Sequence, residues 1–366
     1  MRLVSPLLKR VLYPCLAQTG FLRRQMGEDD LCVVTYHGVL PRGYRSPHAA
    51  LDGALVTADS FRRQLRFLKS RYNVISAQQF LTWRQNESTL PPRAVLVTSD
   101  DGLRNTLTEM LPILQEEEVT CLFFVTGASL WEKPGMLWYE ELYLMLLTAP
   151  DWALSLDLGA GAMQSRLGHV KTRHSVWWSL VKALSGFDSD KRRELLENAR
   201  GQLRLPENWN QPYMEDPVQQ RRFLLLSLTE LRQLAAAGMP IGAHSLSHPV
   251  LSQLPSPVAW KEIAESRSAL ASALGEPVWS FAYPFGDPAG VSERELEMAA
   301  RSGYKCAFLN RGGRFGRGVP AFAIPRVHVT ADMSLAEFEA HVSGFQQALR
   351  RRLMGPEFIP AAAVHS

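Results

Sequence analysis

Short apolar runs that alternate with helical patterns restrict the fold of this chain more than any other feature. Six runs are rich in β-branched and aromatic residues and bounded by turn residues, which is typical of buried strands. They cover residues 31–36, 94–98, 121–125, 240–244, 279–283 and 304–308. Amphipathic helical patterns separate them, and three helices are predicted to begin at a capping box: Ser227 with Glu230, Ser292 with Glu295, and Ser334 with Glu337. The alternation predicts a parallel sheet covered by helices, either a closed barrel or an open doubly wound sheet.

Polar side chains follow three of the predicted strands, at the end where parallel α/β folds carry their chemistry. Asp100 and Asp101 follow the run 94–98, His244 and His248 follow the strand that ends near 243, and His37 follows 31–36. Neighbouring residues at a strand end point to different sides, so the two carboxylates can reach different partners in one pocket. One of them could bind a metal ion while the other moves a proton.

The two histidines of "HSLSH" (244–248) are four residues apart, which on a helical turn would place both imidazoles on one side. Such a pair alone is as often structural as ligating. With an aspartate at a neighbouring strand end it makes a three-ligand set that leaves coordination positions open, as catalytic metal sites do. Mixed nitrogen and oxygen donors suit zinc best, while cobalt, iron, nickel and manganese stay open as alternatives.

Composition and charge bear on two further points, nucleic acid as a partner and the state of the cysteines. The formal net charge of +4 is mild, and the sequence has no interleaving of basic and aromatic residues of the kind that binds single strands, so nucleic acid is not an expected partner. Four widely spaced cysteines lack any CxxC pair and are predicted to be buried, reduced thiols: Cys15, Cys32, Cys121 and Cys306.

Three motifs resemble those of the NodB-type polysaccharide deacetylases, carbohydrate esterase family 4. They are "TSDDG" (98–102), "HSLSH" (244–248) and "FAYPFG" (281–286), and the resemblance runs from about residue 31 to 330. It implies a distorted (β/α)7 barrel that removes N-acetyl groups from amino sugars with one divalent metal ion. Carried over by position, it implies Asp100 as general base. The implied metal ligands are Asp101, His244 and His248.

The sequence departs from the family pattern in the third motif. An arginine that orients the base is usual there, but Phe281 and Ala282 precede Tyr283 and Pro284, so Arg326 of "IPRVHV" is expected to take its place. Tyr283 and Pro284 are expected to contact substrate, with the Tyr283 amide donating to the oxyanion by analogy. Ser99 replaces the usual phenylalanine of the first motif, and no fourth motif is present.

These departures resemble the poly-N-acetylglucosamine deacetylase branch, whose early Tyr-His motif corresponds to "TYHG" (35–38). His37 is therefore the expected general acid. His328 is its rival, and otherwise a residue that supports Asp100 or contacts substrate. Two other functions stay open: a metal-independent amidohydrolase on the same barrel, and an inactive glycan-binding module. The expected partner is an N-acetylated saccharide, either a polysaccharide or its lipid-linked precursor.

The expected organisation has a core domain at residues 31–334, between an amphipathic helical segment at 1–30 and a C-terminal helix and tail at 335–366. Residues from about 135 to 222, here called the insertion, show helical pattern and no convincing strand. Four tryptophans lie along the insertion: Trp138, Trp152, Trp177 and Trp178. We expect them to form its own small core; stacking on sugar rings, or a lid, is the alternative.

The sequence has no apolar run of the roughly 18 residues that a membrane span needs, and no clean signal peptide, so a cytoplasmic location is expected. Basic residues near both ends could meet anionic lipid in peripheral contact. They are Lys9, Arg10, Arg23, Arg24, Arg350, Arg351 and Arg352. Two solvated basic helix faces are the favoured interpretation.

Overall fold

The structure of the protein is a computed structural model. It describes residues 8–27, 29–47, 51–130, 135–149, 153–157, 162–166, 170–286 and 290–354. Its strands are β1 (Leu31–Tyr36), β2 (Asn73–Ile75), β3 (Ala94–Ser99), β4 (Leu122–Val125), β5 (Ala153–Asp157), β6 (Ala162–Arg166), β7 (Ile241–Ala243), β8 (Ser280–Ala282), β9 (Cys306–Phe308) and β10 (Val327–His328).

The α-helices are α1 (Tyr13–Gln18), α2 (Ala58–Arg71), α3 (Ala77–Arg84), α4 (Leu111–Glu116), α5 (Trp138–Thr148), α6 (Val170–Leu184), α7 (Ser189–Gln202), α8 (Gln211–Glu215), α9 (Pro217–Phe223), α10 (Leu228–Ala236), α11 (Ser256–Leu274), α12 (Glu293–Arg301), α13 (Leu335–Val342) and α14 (Phe345–Met354). Short π-helical segments span Leu8–Leu12 and Thr106–Met110, and 3-10 segments span Arg23–Gln25, Gly127–Leu130 and Leu251–Gln253.

The main sheet is entirely parallel and has the order β10-β1-β3-β4-β7-β8-β9, with β2 paired to the first half of β3. The sheet curves until Phe308 of β9 pairs in parallel with Ile324, just before β10. Of the two architectures that the alternation allows, the barrel is therefore correct, and the expected distorted (β/α)7 barrel is confirmed. All six predicted strands are present, with ends shifted by one or two residues.

Burial explains why these strands could be predicted from the sequence. Every residue of β1 and β3 is buried, because helices cover the outside of the barrel and side chains fill its inside. Parallel strands buried on both faces have continuous apolar sequence rather than alternation. Their register runs from the Leu31–Ala94 pair to the Tyr36–Ser99 pair, so both strands end at the same level of the barrel.

Two of the three predicted capping boxes are confirmed, at Ser227 with Glu230 and at Ser292 with Glu295. Ser334 caps α13 by accepting a hydrogen bond from the Glu337 amide. The Glu337 carboxylate is instead 3.1 Å from the Lys9 ammonium. The third box is thus half formed, because its glutamate binds the N-terminal segment.

The insertion is not all helical, so that expectation was wrong. Strands β5 and β6 form an antiparallel hairpin within it. The overlooked signal was the alternation in "ALSLD", where Leu154 and Leu156 are buried and Ser155 is exposed.

The tryptophans of the insertion differ in their burial. Trp138 and Trp177 are buried in a hydrophobic cluster formed mainly by the insertion itself, as the small-core interpretation expects. Trp178 is exposed. Trp152 lies outside the described residues.

Cysteine burial was predicted correctly at three of the four positions. Cys32, Cys121 and Cys306 are buried and free, whereas Cys15 is free but exposed. Cys15 lies on α1, whose buried side is carried by Tyr13. The Tyr13 ring packs edge-on against Phe345, with ring centroids 6.4 Å apart.

In the described part of the chain, no helix combines the length and apolar character needed to cross a membrane.

Candidate active site

The predicted site residues meet at one end of the barrel because the strands that carry them are parallel and in register. Asp100 and Asp101 follow β3, His244 follows β7, His37 follows β1, and His328 ends β10. The amide of Asp100 donates to the carbonyl oxygen of Tyr36 at 2.9 Å, which ties the end of β3 to the end of β1. Residues spread over almost 300 positions of sequence thus share one edge of the fold.

Asp101, His244 and His248 form a compact, buried group whose ligand atoms all lie within 4.8 Å of one another. The Asp101 Oδ1 atom is 3.5 Å from His244 Nε2 and 3.2 Å from His248 Nε2. This oxygen is buried and accepts no hydrogen bond. A buried carboxylate oxygen facing two imidazole nitrogens without a hydrogen bond fits a shared divalent metal ion.

The protonation states of the three residues suit a metal ligand set. His244 Nδ1 is 2.7 Å from the carbonyl oxygen of Ala282, which can only accept, so this nitrogen carries the hydrogen and Nε2 has its lone pair free. Burial lowers the pKa of His248 and so favours neutral imidazole. Burial opposes ionisation of Asp101, but its contacts with His244 and His248 outweigh burial and hold the Asp101 pKa well below its usual value.

The backbone around the ligands adopts an unusual conformation. Residues 244–248 form a loop after β7 and not the helical turn that the spacing predicted. The two rings still converge, with centroids 4.9 Å apart, because Ser245 and His248 have φ of 61° and 55°. Asp101 has φ of 74°. Left-handed non-glycine residues cost about 1–3 kcal/mol each and cluster at functional sites.

Hydrogen bonds hold this loop in place. The amide of His248 donates to Ser245 Oγ at 3.0 Å, and Trp138 Nε1 donates to the His248 carbonyl oxygen at 2.9 Å. Trp138 belongs to the insertion, so the insertion helps to position a ligand that belongs to the barrel.

Asp100 binds Arg326 through both of its carboxylate oxygens. The Nη1 and Nη2 atoms of Arg326 donate to the two carboxylate oxygens at 2.7 and 2.6 Å. Arg326 is fully buried, and its Nε donates to the Leu309 carbonyl oxygen at 2.9 Å. Burial opposes ionisation of Asp100, but the charge of Arg326 outweighs it and holds the Asp100 pKa below its usual value. Arg326 therefore lies where an arginine that orients the base was expected.

Comparisons with known proteins agree with this geometry. Residues 211–307 match the family model described as polysaccharide deacetylase. The curated protein YxkH of Bacillus subtilis (strain 168), named for the same family, is 24% identical over 121 residues, which cover 33% of this chain and 42% of YxkH. Residues 211–307 of this chain are thus similar to the polysaccharide deacetylase family.

Solved structures show the same fold. The deacetylase PplD of Streptococcus pyogenes, in complex with acetate, superposes with a TM-score of 0.54 at 16% identity, over 86% of this chain and 98% of that chain. IcaB from Ammonifex degensii superposes with a TM-score of 0.53 at 18% identity, over 85% of this chain and 96% of that chain. The family model covers His244 and His248, whereas Asp100 and Asp101 precede the matched residues.

A cavity of about 500 Å³, here called the main cavity, opens beside Asp101 of the candidate ligand set. Asp101, His37 and His328 line it. The two histidine rings are 4.6 Å apart between centroids, and each is half-buried. His328 Nδ1 is 3.2 Å from Asn310 Oδ1, while His37 Nδ1 is buried without a hydrogen-bond partner. Both rings line the main cavity together with Asp101, so both His37 and His328 are candidates for the general acid.

Tyr283 and Pro284 are buried, and neither is among the residues that line the main cavity. The Tyr283 hydroxyl donates to the Phe322 carbonyl oxygen at 3.0 Å, and its amide donates to the Phe308 carbonyl oxygen at 3.1 Å. The expectation that this amide serves an oxyanion is therefore contradicted, because it extends the pairing of β8 with β9. The next residue, Phe285, packs against His248 instead, with ring centroids 4.9 Å apart.

The insertion supplies two cavity residues that sequence reasoning missed, Tyr139 and Glu140, and also Trp177, for which stacking on sugar rings was the alternative expectation. Tyr139, Glu140 and Trp177 line the main cavity opposite the barrel edge. The Tyr139 ring lies 5.1 Å from the His248 ring between centroids. Burial and the negative charge of Asp101 raise the Tyr139 pKa well above its usual value, so the hydroxyl keeps its proton. The available signal was a Tyr-Glu pair inside an otherwise apolar helical pattern.

Proposed function

We propose that this protein is a metal-dependent hydrolase that removes N-acetyl groups from amino sugars of a polysaccharide or of its lipid-linked precursor. The observation that carries the proposal is the arrangement of Asp101, His244 and His248 beside an Asp100 that Arg326 holds ionised. The set faces a cavity large enough for a saccharide unit.

Zinc fits the two imidazoles and one carboxylate best, with cobalt, iron, nickel and manganese as alternatives. Such an ion, when bound by Asp101, His244 and His248, would polarise the acetyl carbonyl and lower the pKa of a water molecule.

Asp100 accepts the proton of the attacking water in this proposal. Its ionised form is the one that accepts a proton, and the paired Arg326 keeps it ionised at neutral pH. The bidentate contact also fixes the plane of the carboxylate, so one lone pair of each oxygen stays free.

The departing nitrogen needs a proton, which His37 or His328 donates. Either imidazole lines the main cavity together with Asp101. We favour His37, because its buried Nδ1 has no hydrogen-bond partner in the described part of the chain, whereas His328 Nδ1 already contacts Asn310.

The two alternative functions fit the site less well. A metal-independent amidohydrolase has no need of three buried residues whose ligand atoms converge within 4.8 Å. An inactive glycan-binding module has no need of an ionised aspartate clamped by a buried arginine.

The experiment that tests the proposal measures acetate release from a panel of N-acetylated saccharides and lipid-linked sugars. The protein is assayed as purified, after chelation, and after each divalent metal is restored. We expect release that disappears on chelation and returns with metal. Full activity in the chelated protein would favour the metal-independent amidohydrolase, and no release from any substrate would favour the binding module.

We further propose that the terminal helices contact an anionic membrane surface. Val11, Phe21 and Leu353 are large apolar side chains with exposed fractions of 51%, 41% and 68%. They lie near the exposed Arg10, Arg24, Arg351 and Arg352 on segments that pack together through Phe21 and Phe345, whose ring centroids are 5.9 Å apart. Lys9 does not belong to this surface, because it pairs with Asp332 and Glu337.

Sedimentation with vesicles tests the membrane proposal. Binding to phosphatidylglycerol vesicles, weaker in high salt and weaker in an Arg351→Ser/Arg352→Ser variant, is the expected result. Equal sedimentation with neutral phosphatidylcholine vesicles, or with no vesicles, would contradict it.

A further inference from the structure

A second cavity of about 100 Å³, here called the Arg192 cavity, lies on the insertion side of His248. It shares no lining residue with the main cavity. Trp138 and His248 form part of its wall, and the first turn of α7 contributes Ser189, Arg192 and Arg193. Such a volume holds roughly three water molecules at about 30 Å³ each, or one small polar group.

Arg192 is the unusual residue of this cavity, because its guanidinium is buried and incompletely bonded. Its exposed fraction is 2%. Nη2 donates to the carbonyl oxygen and the hydroxyl of Ser247 at 3.2 and 2.6 Å, and the guanidinium carbon lies 4.7 Å from the Trp138 ring centroid. Nη1 is buried and has no hydrogen-bond partner among the residues that the structure describes. A buried cationic donor left unpaired is costly, which points to a missing acceptor.

Nearby carboxylates do not fill that position. Glu262 accepts hydrogen bonds from the Leu246 and Ser247 amides and from the Ser247 hydroxyl, so Arg192 reaches it only through Ser247. Glu141 lines the cavity, but burial and the negative charge of Glu197 raise its pKa, although Arg193 opposes this. Its charged form is thus less favoured than that of an exposed glutamate.

Other features of the cavity also favour negative charge. His248 Nδ1 is a second buried nitrogen without a partner. Burial lowers the pKa of Arg192 to about 10, which still leaves it protonated at neutral pH.

We propose that the Arg192 cavity binds a small anionic group, a phosphate or a carboxylate, and that this group is a substituent of the saccharide substrate. The second half rests on the proposed function; the anion site itself does not. His248 belongs both to the ligand set and to the wall of the Arg192 cavity, so the two sites are adjacent. The preferred substrate is accordingly an acidic amino sugar, such as a sugar phosphate, and not a neutral one.

Calorimetric titration of the metal-loaded protein with inorganic phosphate tests the anion site. Arg192→Gln removes the charge, and Lys191→Gln is the matched control, since Lys191 is exposed on the same helix and pairs with Glu194. We expect phosphate affinity to fall by about tenfold or more in Arg192→Gln, less in Arg192→Lys, and not at all in the control. Phosphate bound to the metal ion would contribute equally to all four proteins. Equal affinity in wild type and Arg192→Gln overturns the site, with melting curves to verify that the variants are folded.

Steady-state kinetics with N-acetylglucosamine 1-phosphate and N-acetylglucosamine test the second half. Arg192→Gln should raise KM for the phosphorylated sugar about tenfold, leave kcat within about threefold, and leave KM for the neutral sugar unchanged. Equal effects on both sugars, despite lost phosphate binding, would show that the anion is a free ligand and overturn the substrate assignment. If neither sugar releases acetate in wild type, the proposed function fails for these substrates, while the phosphate titration still decides the site.

Discussion

The barrel edge and the insertion form opposite walls of the candidate active site, and they are built in different ways. On the barrel wall, Asp100 and Asp101 extend a strand whose every residue is buried and paired in register with β1. On the insertion wall, Glu140 is held by Arg222, whose Nη2 lies 2.8 Å from Glu140 and whose Nε lies 2.5 Å from Asp52. One wall is positioned by backbone pairing, and the other by a few buried side chains.

This difference suggests a division of labour. Groups that move protons or bind a metal ion need positions accurate to a fraction of an ångström, which a hydrogen-bonded strand end provides. An inserted wall can vary in sequence without disturbing that geometry, so it is suited to selecting the substrate. Changes on the barrel wall should therefore lower kcat, whereas changes on the insertion wall should mainly alter KM.

The largest effect is expected from the ligand set. Asp101→Ala and His244→Ala should each lose bound metal, and with it several kcal/mol of transition-state stabilisation, which is roughly a thousandfold in rate. Elemental analysis and acetate release measure the two quantities. His341→Ala, a histidine of α13 outside the site, is the control. Metal content equal to wild type in both ligand variants would remove the proposed centre.

The next effect is expected at Asp100, because in the proposed mechanism one aspartate of the pair moves a proton and the other holds the ion. Asp100→Asn should keep its metal and lose about 10² to 10⁴ in kcat, the usual contribution of a general base. Elemental analysis and acetate release are measured side by side with Asp101→Asn. If Asp100→Asn loses metal while Asp101→Asn retains it, the two roles are reversed.

The two histidines of the barrel wall should differ from each other. His37→Ala is expected to retain metal and lose roughly 10² or more in kcat, with the basic limb of its pH profile removed, because the acid is missing. His328→Ala should lose less and keep that limb. The opposite ranking would transfer the role of acid to His328.

The smallest effect is expected from the insertion wall. Tyr139→Phe removes one hydroxyl beside the ligand set, and a single neutral hydrogen bond contributes about 0.5–1.5 kcal/mol, at most roughly tenfold. The change should appear in KM more than in kcat, with metal content unaltered. A loss in kcat as large as that of Asp100→Asn would break the proposed division of labour and make Tyr139 a catalytic residue.

The barrel wall was largely predictable from sequence, for a physical reason. A strand buried on both faces needs a continuous apolar run, and polar residues directly after such a run, like Asp100 and Asp101, stand out against it. The insertion was poorly predictable, because its buried residues serve a small local core. The β5–β6 hairpin was missed, and Trp177 belongs both to that core and to the wall of the main cavity.

Some features of the barrel wall were not predicted correctly from the sequence. The spacing of His244 and His248 predicted convergence correctly but through the wrong geometry, since left-handed conformations at Ser245 and His248 replace the helical turn. Tyr283 was expected in the site, but its amide pairs with Phe308 in the sheet. Local spacing specifies which side chains are near in the chain, and the surrounding packing decides which backbone conformation brings them together.

The sequence by itself determined the alternation of strands and helices, the residues at the strand ends and the family that their motifs resemble, because these depend on local pattern and residue type. Only the tertiary structure decided that Tyr139 covers His248, and that Arg192 is buried with a donor that is unpaired within the described residues. Such contacts join segments that are distant in sequence, and they produce no periodic pattern in the amino-acid sequence from which they could be predicted.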